Sequence, residues 1–383
     1  MLLQPNFHQA MASVLGGFEE STGLTVKLES IPATSGVDNL THLSTSFASG
    51  TSPYDVVSDS DESSPLLMRA GWLMPLDDII PAETWADFPD SMSEMIDIWH
   101  KYEGTYYRIP HVLSMGYFWT RKDLLDERGM AAPATWEELV ELGKEFADPP
   151  NNMWGTTDGL LKPALLFVYL AYLTAQAGGD IFAFDDGTAA AFQFLHDMIH
   201  THQIFPEAAL SNDYSAQNEY YFQDRVPVMR QWAFIYDVAR SRTDWYAPEK
   251  MTVELPPGGP AGRKSWIGGW GYEIPAFAPN PDGAAELIRY LTSVEVAPQL
   301  AQASAQFVSP RQSIVEAFKG TNYILEQMVR YGEEGVYVPR PFHPKVAQAQ
   351  AAVEDVASLY LFNQATLQEA LSQGRKLIAA LDE

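Results

Sequence analysis

Ten tryptophans in 383 residues are the side chains of this sequence best suited to chemistry at a surface. An indole ring can cover the apolar C–H face of a pyranose while neighbouring polar groups take its hydroxyls. Packing is the rival role for any indole, and Trp72, Trp85, Trp99 and Trp136 stand where packing or helix caps explain them. Trp232 directly follows an expected strand, Val226–Arg230, and Trp270 follows the pair Gly268-Gly269. Small residues such as Gly269 let a backbone approach a ligand closely. Trp119 alternates with Tyr117 on another expected strand. Polar candidates lie on loops: Gln4, Asn6 and His8 near the start, Asp61 and Glu62 in Asp59-Ser-Asp-Glu62, and Ser114 near His111. Arg340 stands in Arg340-Pro-Phe-His-Pro344 and offers a rigid donor fork. Carboxylates accept paired bonds from vicinal hydroxyls. Each polar candidate has a structural rival. Asp61 and Glu62 could cap a helix over Ser63–Arg69, the residues at the start could cap the next helix, and Arg340 could hold a surface ion pair.

Other chemistries leave weaker signals. His196 and His200 have the i, i+4 spacing of metal ligands, but no Glu stands in HExxH register and no fourth ligand is evident. A polar helix face is the expectation there, and no metal site or cofactor is assigned. Tyr220-Tyr221 is a pair of adjacent phenols that would suit a ferric ion. A glycoside hydrolase needs two carboxylates about 5–10 Å apart, and 50 acidic residues make some such pair inevitable. No P-loop, GxGxxG or GxSxG occurs. The absence of cysteine excludes disulfides, thiolate nucleophiles and Cys-based metal sites. A formal charge of −26 argues against nucleic acid as a partner, because polyphosphate calls for Lys and Arg. It favours solubility.

These residues must be positioned by an alternation of helices and strands. Phe7, Met11, Val14, Leu15 and Phe18 repeat at helical spacing before Gly23, and Leu24–Leu28 alternates as a strand. A helix is expected over Val37–Ala48, a buried strand over Tyr54–Val57 and a buried apolar helix within Leu160–Leu173. Strands follow at Thr252–Leu255 and Tyr272–Pro275, and beyond Pro281 nearly everything reads as helix. That order points to α/β architecture with a largely parallel sheet. Thr135-Trp-Glu-Glu138 is a capping box. No apolar run is long enough to cross a membrane. Met1-Leu2-Leu3 leads straight into Gln4-Pro5-Asn6 without a signal peptide, so an export segment is expected to have been removed.

The segment Tyr117–Leu139 resembles one found in sugar-type solute-binding proteins of bacterial ABC importers, the maltose-binding-protein-like receptors. There a strand leaves an inter-lobe hinge and enters a Lys-Asp-Leu helix, a Gly-x-x-x-Pro loop and a Thr-Trp-Glu-Glu-Leu helix. Further motifs follow in the family's order: Gly17-Phe-Glu-Glu20 with Gly23, Tyr54-Asp-Val-Val57, Gly71-Trp-Leu-Met-Pro-Leu-Asp-Asp78 and Ala175-Gln-Ala-Gly-Gly179. Phe222–Met229, Asn280-Pro-Asp-Gly-Ala-Ala285 and the Arg-Pro-x-x-Pro turn at Arg340 continue the series. Tyr102-Glu-Gly-Thr-Tyr-Tyr-Arg-Ile-Pro110 is similar to the family's Asp-Gly-Lys-x-Tyr-Gly-x-Pro hairpin. Thr120-Arg121 departs from the family's Tyr-Asn before the Lys-Asp helix.

The resemblance implies an α/β, two-lobed periplasmic-binding-protein-like fold of type II. Each lobe would be a mostly parallel sheet flanked by helices, with a ligand cleft between lobes. The N-terminal lobe would comprise residues 1–110 plus 268–318 and the C-terminal lobe 111–267 plus 319–383, with crossings near 110–113, 266–269 and 313–320. It also implies the substrate-binding component of an ABC importer, capturing a mono-, di- or short oligosaccharide by hinge closure without catalysis. Its partners would be the carbohydrate and the permease subunits. The protein would be a periplasmic or cell-surface monomer, touching membrane only through the transporter or a lost lipid anchor. The resemblance adds weight to Trp232, where the family places a cleft aromatic. The ferric-ion receptor of the same fold and the glycoside hydrolase stand as alternatives.

Overall fold

The computed structural model describes residues 1–30 and 36–382. The chain divides into two compact units, Met1–Ser114 with Ile267–Glu333 and Met115–Trp266 with Glu334–Glu383. The strands among the described residues are β1 (Val57–Ser60), β2 (Lys101–Tyr102), β3 (Thr105–Tyr106), β4 (Ile109–Met115), β5 (Tyr117–Thr120), β6 (Val228–Gln231), β7 (Thr252–Glu254), β8 (Ser265–Glu273) and β9 (Tyr337–Pro339).

In the first unit the helical spacing seen in the sequence becomes the helix His8–Thr22. It buries Ala10, Met11, Val14, Leu15 and Phe18 and stops at Gly23, whose φ of 72° suits a residue without Cβ. The helix Pro281–Thr292 starts from Asn280, whose side chain accepts the Gly283 N–H at 3.1 Å. Ala284, Leu287, Ile288 and Leu291 then join the same core as the first helix. The sheet order is β1-β8-β4. The expected strand Leu24–Leu28 is corrected, because none of its residues lies in a strand and only the next residue, Glu29, forms a bridge, with Leu2.

The expectation of mostly parallel sheets is also corrected. Val57 faces Glu273 and Ser60 faces Trp270 in an antiparallel β1–β8 pair. The second unit's sheet, β6-β5-β7, is antiparallel throughout. Isolated parallel bridges join Leu2 to Glu29 and Val57 and Thr135 to Gly258. The reason is where the chain returns. β8 enters the first unit at the end where β1 finishes, so it must run against it. An alternation of helix and strand along a sequence does not report such returns.

The chain passes between units after Ser114, after Trp266 and after Glu333. The third passage lies beyond the expected Ser313–Gly320, because the preceding segment is tied to the first unit. Asp87 takes the Arg311 Nε at 2.7 Å and the Ser313 N–H at 2.8 Å.

In the second unit the helix Leu165–Ala177 is buried almost all round, as its composition requires, and packs on the helices Asp186–His196 and Val346–Leu361. The capping box is present with one change. The Thr135 hydroxyl accepts the Glu138 N–H at 3.2 Å, while the Glu138 carboxylate reaches back to Ala134 N–H at 2.7 Å. None of the helices among the described residues is long and apolar enough to cross a membrane.

Glu354, 2% exposed, reaches from one of these helices to the start of another, where its Oε1 accepts the Phe167 N–H at 3.1 Å. Burial pushes its carboxyl from 4.5 up to about 7, against the opposing effect of the Phe167 and Ala164 amides and Lys162. The folded protein therefore binds this proton more tightly than the unfolded chain does. The associated stability is fully present below pH 4.5 and is lost as pH rises through about 7. Glu354→Gln keeps a neutral acceptor and should remove that loss. Urea unfolding of both proteins should show the variant gaining roughly 3 kcal/mol on wild type between mildly acidic and mildly alkaline pH. A difference that stays constant across pH would clear Glu354 as its source.

Candidate functional site

The second unit carries an aromatic and charged cluster at the end of β6. Trp232 is half-buried, and Tyr214 meets it edge-on at 5.1 Å and 89°. The Arg230 guanidinium lies 4.5 Å from the indole centroid. Arg230 donates from Nε and Nη2 to the two oxygens of Asp158, both at 2.7 Å. Burial pushes the Asp158 carboxyl up to about 6, and Arg230 opposes the shift. An amide network fixes the backbone here. Gln217 Oε1 accepts from Gly159 N–H and from Gln231 Nε2, both at 3.0 Å, and Gln231 Oε1 accepts the Trp232 N–H at 3.0 Å. The result is an indole held in one orientation beside polar groups, an arrangement able to cover the apolar face of a sugar ring.

Trp119 and Tyr117 lie on the same side of β5 but are buried inside this unit. The Trp119 indole donates to the Gln231 carbonyl at 2.9 Å and its ring stacks on Tyr236. They support β6 from behind. Arg340 is buried, with its guanidinium 5.3 Å from the Trp266 ring centroid and its Nη2 3.5 Å from Gln350. Arg121, the departure from the family pattern, is held internally by Asp123 and Asp224 and lies over Trp245.

In the first unit Asp61 and Glu62 follow β1, and neither is a helix cap. Asp61 pairs with Arg108 Nη1 at 3.1 Å, and its other oxygen accepts the Gly269 N–H at 2.6 Å. Glu62 accepts from the Ser60 hydroxyl. Gly269 has φ 155°, and a Cβ there would lie 2.0 Å from the Val112 carbonyl oxygen, so the close approach this glycine permits is to β4. Ser114, half-buried, ends the same strand's passage through the unit. Trp270 is half-buried and meets Phe7 edge-on at 5.7 Å. Phe7 lies between Gln4, which is buried, Asn6, which donates to Gln306 at 2.7 Å, and His8. No side chain caps the turn Pro5–Phe7 or the helix His8–Thr22 that follows it.

Arg108 was missed by residue-type reasoning. It is fully enclosed, donates to the Trp99 and Asp59 carbonyls at 2.9 and 2.6 Å, and stands 3.5 Å from Glu273. Burial holds the Glu273 carboxyl well above the usual range, reinforced by Asp59 and opposed by Arg108. A signal was present, since Arg108 occupies the glycine position of the hairpin pattern. Arg230 and Asp158 left none, because their partnership crosses distant segments.

His196 and His200 bond Asn363 and the Leu361 carbonyl, and among the described residues no group of three or more His, Cys, Asp or Glu is placed to hold a metal. The Tyr221 hydroxyl donates to the Lys250 carbonyl at 2.9 Å beneath Trp245, so the ferric reading is not favoured.

A model of the bacterial extracellular solute-binding proteins matches residues 4–298. The chain belongs to that family. Among solute-binding relatives, it is 27% identical over 238 residues to a probable ABC transporter-binding protein of Deinococcus radiodurans, covering 58% of this chain and 55% of that protein. A maltotriose-binding protein of Pyrococcus abyssi is 28% identical over 250 residues, 61% of this chain and 49% of the relative. The chain spans about half the length of the curated relatives it matches. The maltose-bound MalE3 of T. maritima superposes with a TM-score of 0.84 at 22% identity, over 100% of this chain and 98% of that one. A solute-binding protein of Thermotoga lettingae bound to α-D-tagatose gives 0.84 at 20% identity, over 98% of each chain. At these identities the likeness shows the fold, the two-lobed α/β fold of solute-binding proteins.

Proposed function

We propose that this chain is the substrate-binding component of an ABC importer, working in the periplasm or at the cell surface, and that it captures a mono-, di- or short oligosaccharide without chemical conversion. The observation that carries the reading is Trp232, half-buried and held between Arg230 and Tyr214 at the end of β6. Trp270 of the first unit is the second proposed indole; Gln4, Asn6 and His8 surround in sequence the Phe7 that its ring meets, Ser114 stands on β4 and Glu62 follows β1, the strands on either side of β8. The sugar-binding relatives support the substrate class, and the family supports export and a permease partner. Asp61, Tyr117, Trp119 and Gly269 act in this reading as supports, each being engaged within its own unit.

A thermal-shift screen over saccharides and polyols, with ferric citrate as a control, tests it. A bound saccharide should raise Tm, since binding at roughly a hundredfold excess over Kd stabilises the folded state by about 2.7 kcal/mol. Ferric citrate should leave Tm unchanged, and glycosides incubated with the protein should release no reducing sugar. Silence across all saccharides would overturn the proposal. Hinge closure belongs to the same proposal, and its readout is a smaller radius of gyration with the active saccharide.

A further inference from the structure

We infer that Arg230 is a positioning residue for Trp232, linking the orientation of that indole to Gly116 at the start of the second unit. The consequence for binding rests on the reading of Trp232 as a sugar platform. The consequence for the ring itself does not.

Arg230 and Trp232 are two residues apart at the end of β6, so their side chains leave the strand on the same side. The guanidinium lies 4.5 Å from the indole centroid, within the range of cation–π attraction. An arginine on a surface would move among rotamers and hold nothing. This one is 3% exposed and fixed at both ends. Its head is locked by the two bonds to Asp158, itself 1% exposed. Its stem is fixed by Gly116, where an added Cβ would come within 2.9 Å of both Cγ and Cδ. Gly116 is in turn held by its carbonyl, which accepts the Ser265 hydroxyl at 2.9 Å. Gly116 and Ser265 flank the first two passages of the chain between units. A displacement of the backbone at Gly116 therefore has a short, stiff route through one side chain to the indole. Tyr214, edge-on at 5.1 Å, gives the ring its second lateral contact.

The test uses the full chain labelled with 5-fluorotryptophan and read by fluorine NMR without ligand. The resonance missing from Trp232→Phe identifies the residue. Arg230→Met should shift and broaden that resonance and weaken maltotriose binding on the order of tenfold. Arg230→Lys keeps a charge opposite Asp158 but lacks the planar face, so it should move the same resonance in a protein that folds more readily. Gly116→Ala removes no charge and no ring, and by displacing the arginine stem it should move the resonance as well. A Trp232 resonance unmoved in the folded Arg230 variants overturns the inference, and if neither folds, an unmoved resonance in Gly116→Ala does so. A resonance that moves while maltotriose affinity stays at the wild-type value upholds the positioning role and removes Trp232 from the binding site.

Discussion

Trp232→Ala should weaken binding of the active saccharide by about two orders of magnitude while leaving Tm within a few degrees of wild type. The size follows from the residue. An aromatic anchor at the centre of a binding surface contributes several kilocalories per mole, about 2–4 kcal/mol in truncation experiments. The small effect on folding follows from its place, since Trp232 is half-buried beyond the end of β6 and its indole is not part of a closed core. Trp119 supplies the contrast. It is buried, its indole N–H donates to Gln231, and its ring stacks on Tyr236. Trp119→Ala should cost about 3–5 kcal/mol of stability, as removal of a core aromatic does. Calorimetric titration with the saccharide found by thermal shift, together with thermal unfolding, measures both. Wild-type affinity in Trp232→Ala would end the platform reading.

The second large effect is expected at Arg108. Asp61 and Glu273 are fully buried around it, and Arg108 is the cation that both face. Burial pushes the Glu273 carboxyl well above its usual range, whereas Asp61 bonds Arg108 directly and has its second oxygen held by the Gly269 amide. Arg108→Met fills most of the volume but removes the guanidinium that faces Asp61 and donates to the Trp99 and Asp59 carbonyls. Breaking a buried pair from one side costs about 3–5 kcal/mol. Guanidinium unfolding should show a loss of that size. A loss under about 1 kcal/mol would mean that Asp61 takes up a proton or finds another partner at little cost. Glycine at 271 is part of the same arrangement, since a Cβ there would stand 3.0 Å from the Arg108 Nε.

Local features were legible where the physics is local. The first helix with its Gly23 stop and the Thr135 cap each depend on residues close in the chain, and each is found. The buried helix Leu165–Ala177 was legible because a segment apolar all round has only one place to go. Pairing direction was not legible. β5 takes its partners from segments more than a hundred residues away, and β8 meets β1 on a return path, so both became antiparallel where the local alternation suggested parallel sheets. The caps proposed for Asp61 and Glu62 failed for a related reason. A carboxylate next to a helix start also answers to whatever groups the fold brings near, here Arg108 for Asp61 and the Ser60 hydroxyl for Glu62.

By itself the sequence pointed to the family, through motifs whose order along the chain survives at low identity, and its ten tryptophans and lack of cysteine put indoles forward as the proposed binding groups. Only the tertiary structure decided which indole is half-buried beside Arg230 and Tyr214 and which is core. Trp119 and Trp232 both sit on or beside strands of the same sheet, and strand periodicity does not report which of them is buried. Their difference comes from Asp158, Gly116, Tyr214 and Tyr236, which reach them across long stretches of chain. Periodicity and capping act over one or two turns, whereas burial and side-chain pairing are set by the closing of the whole unit.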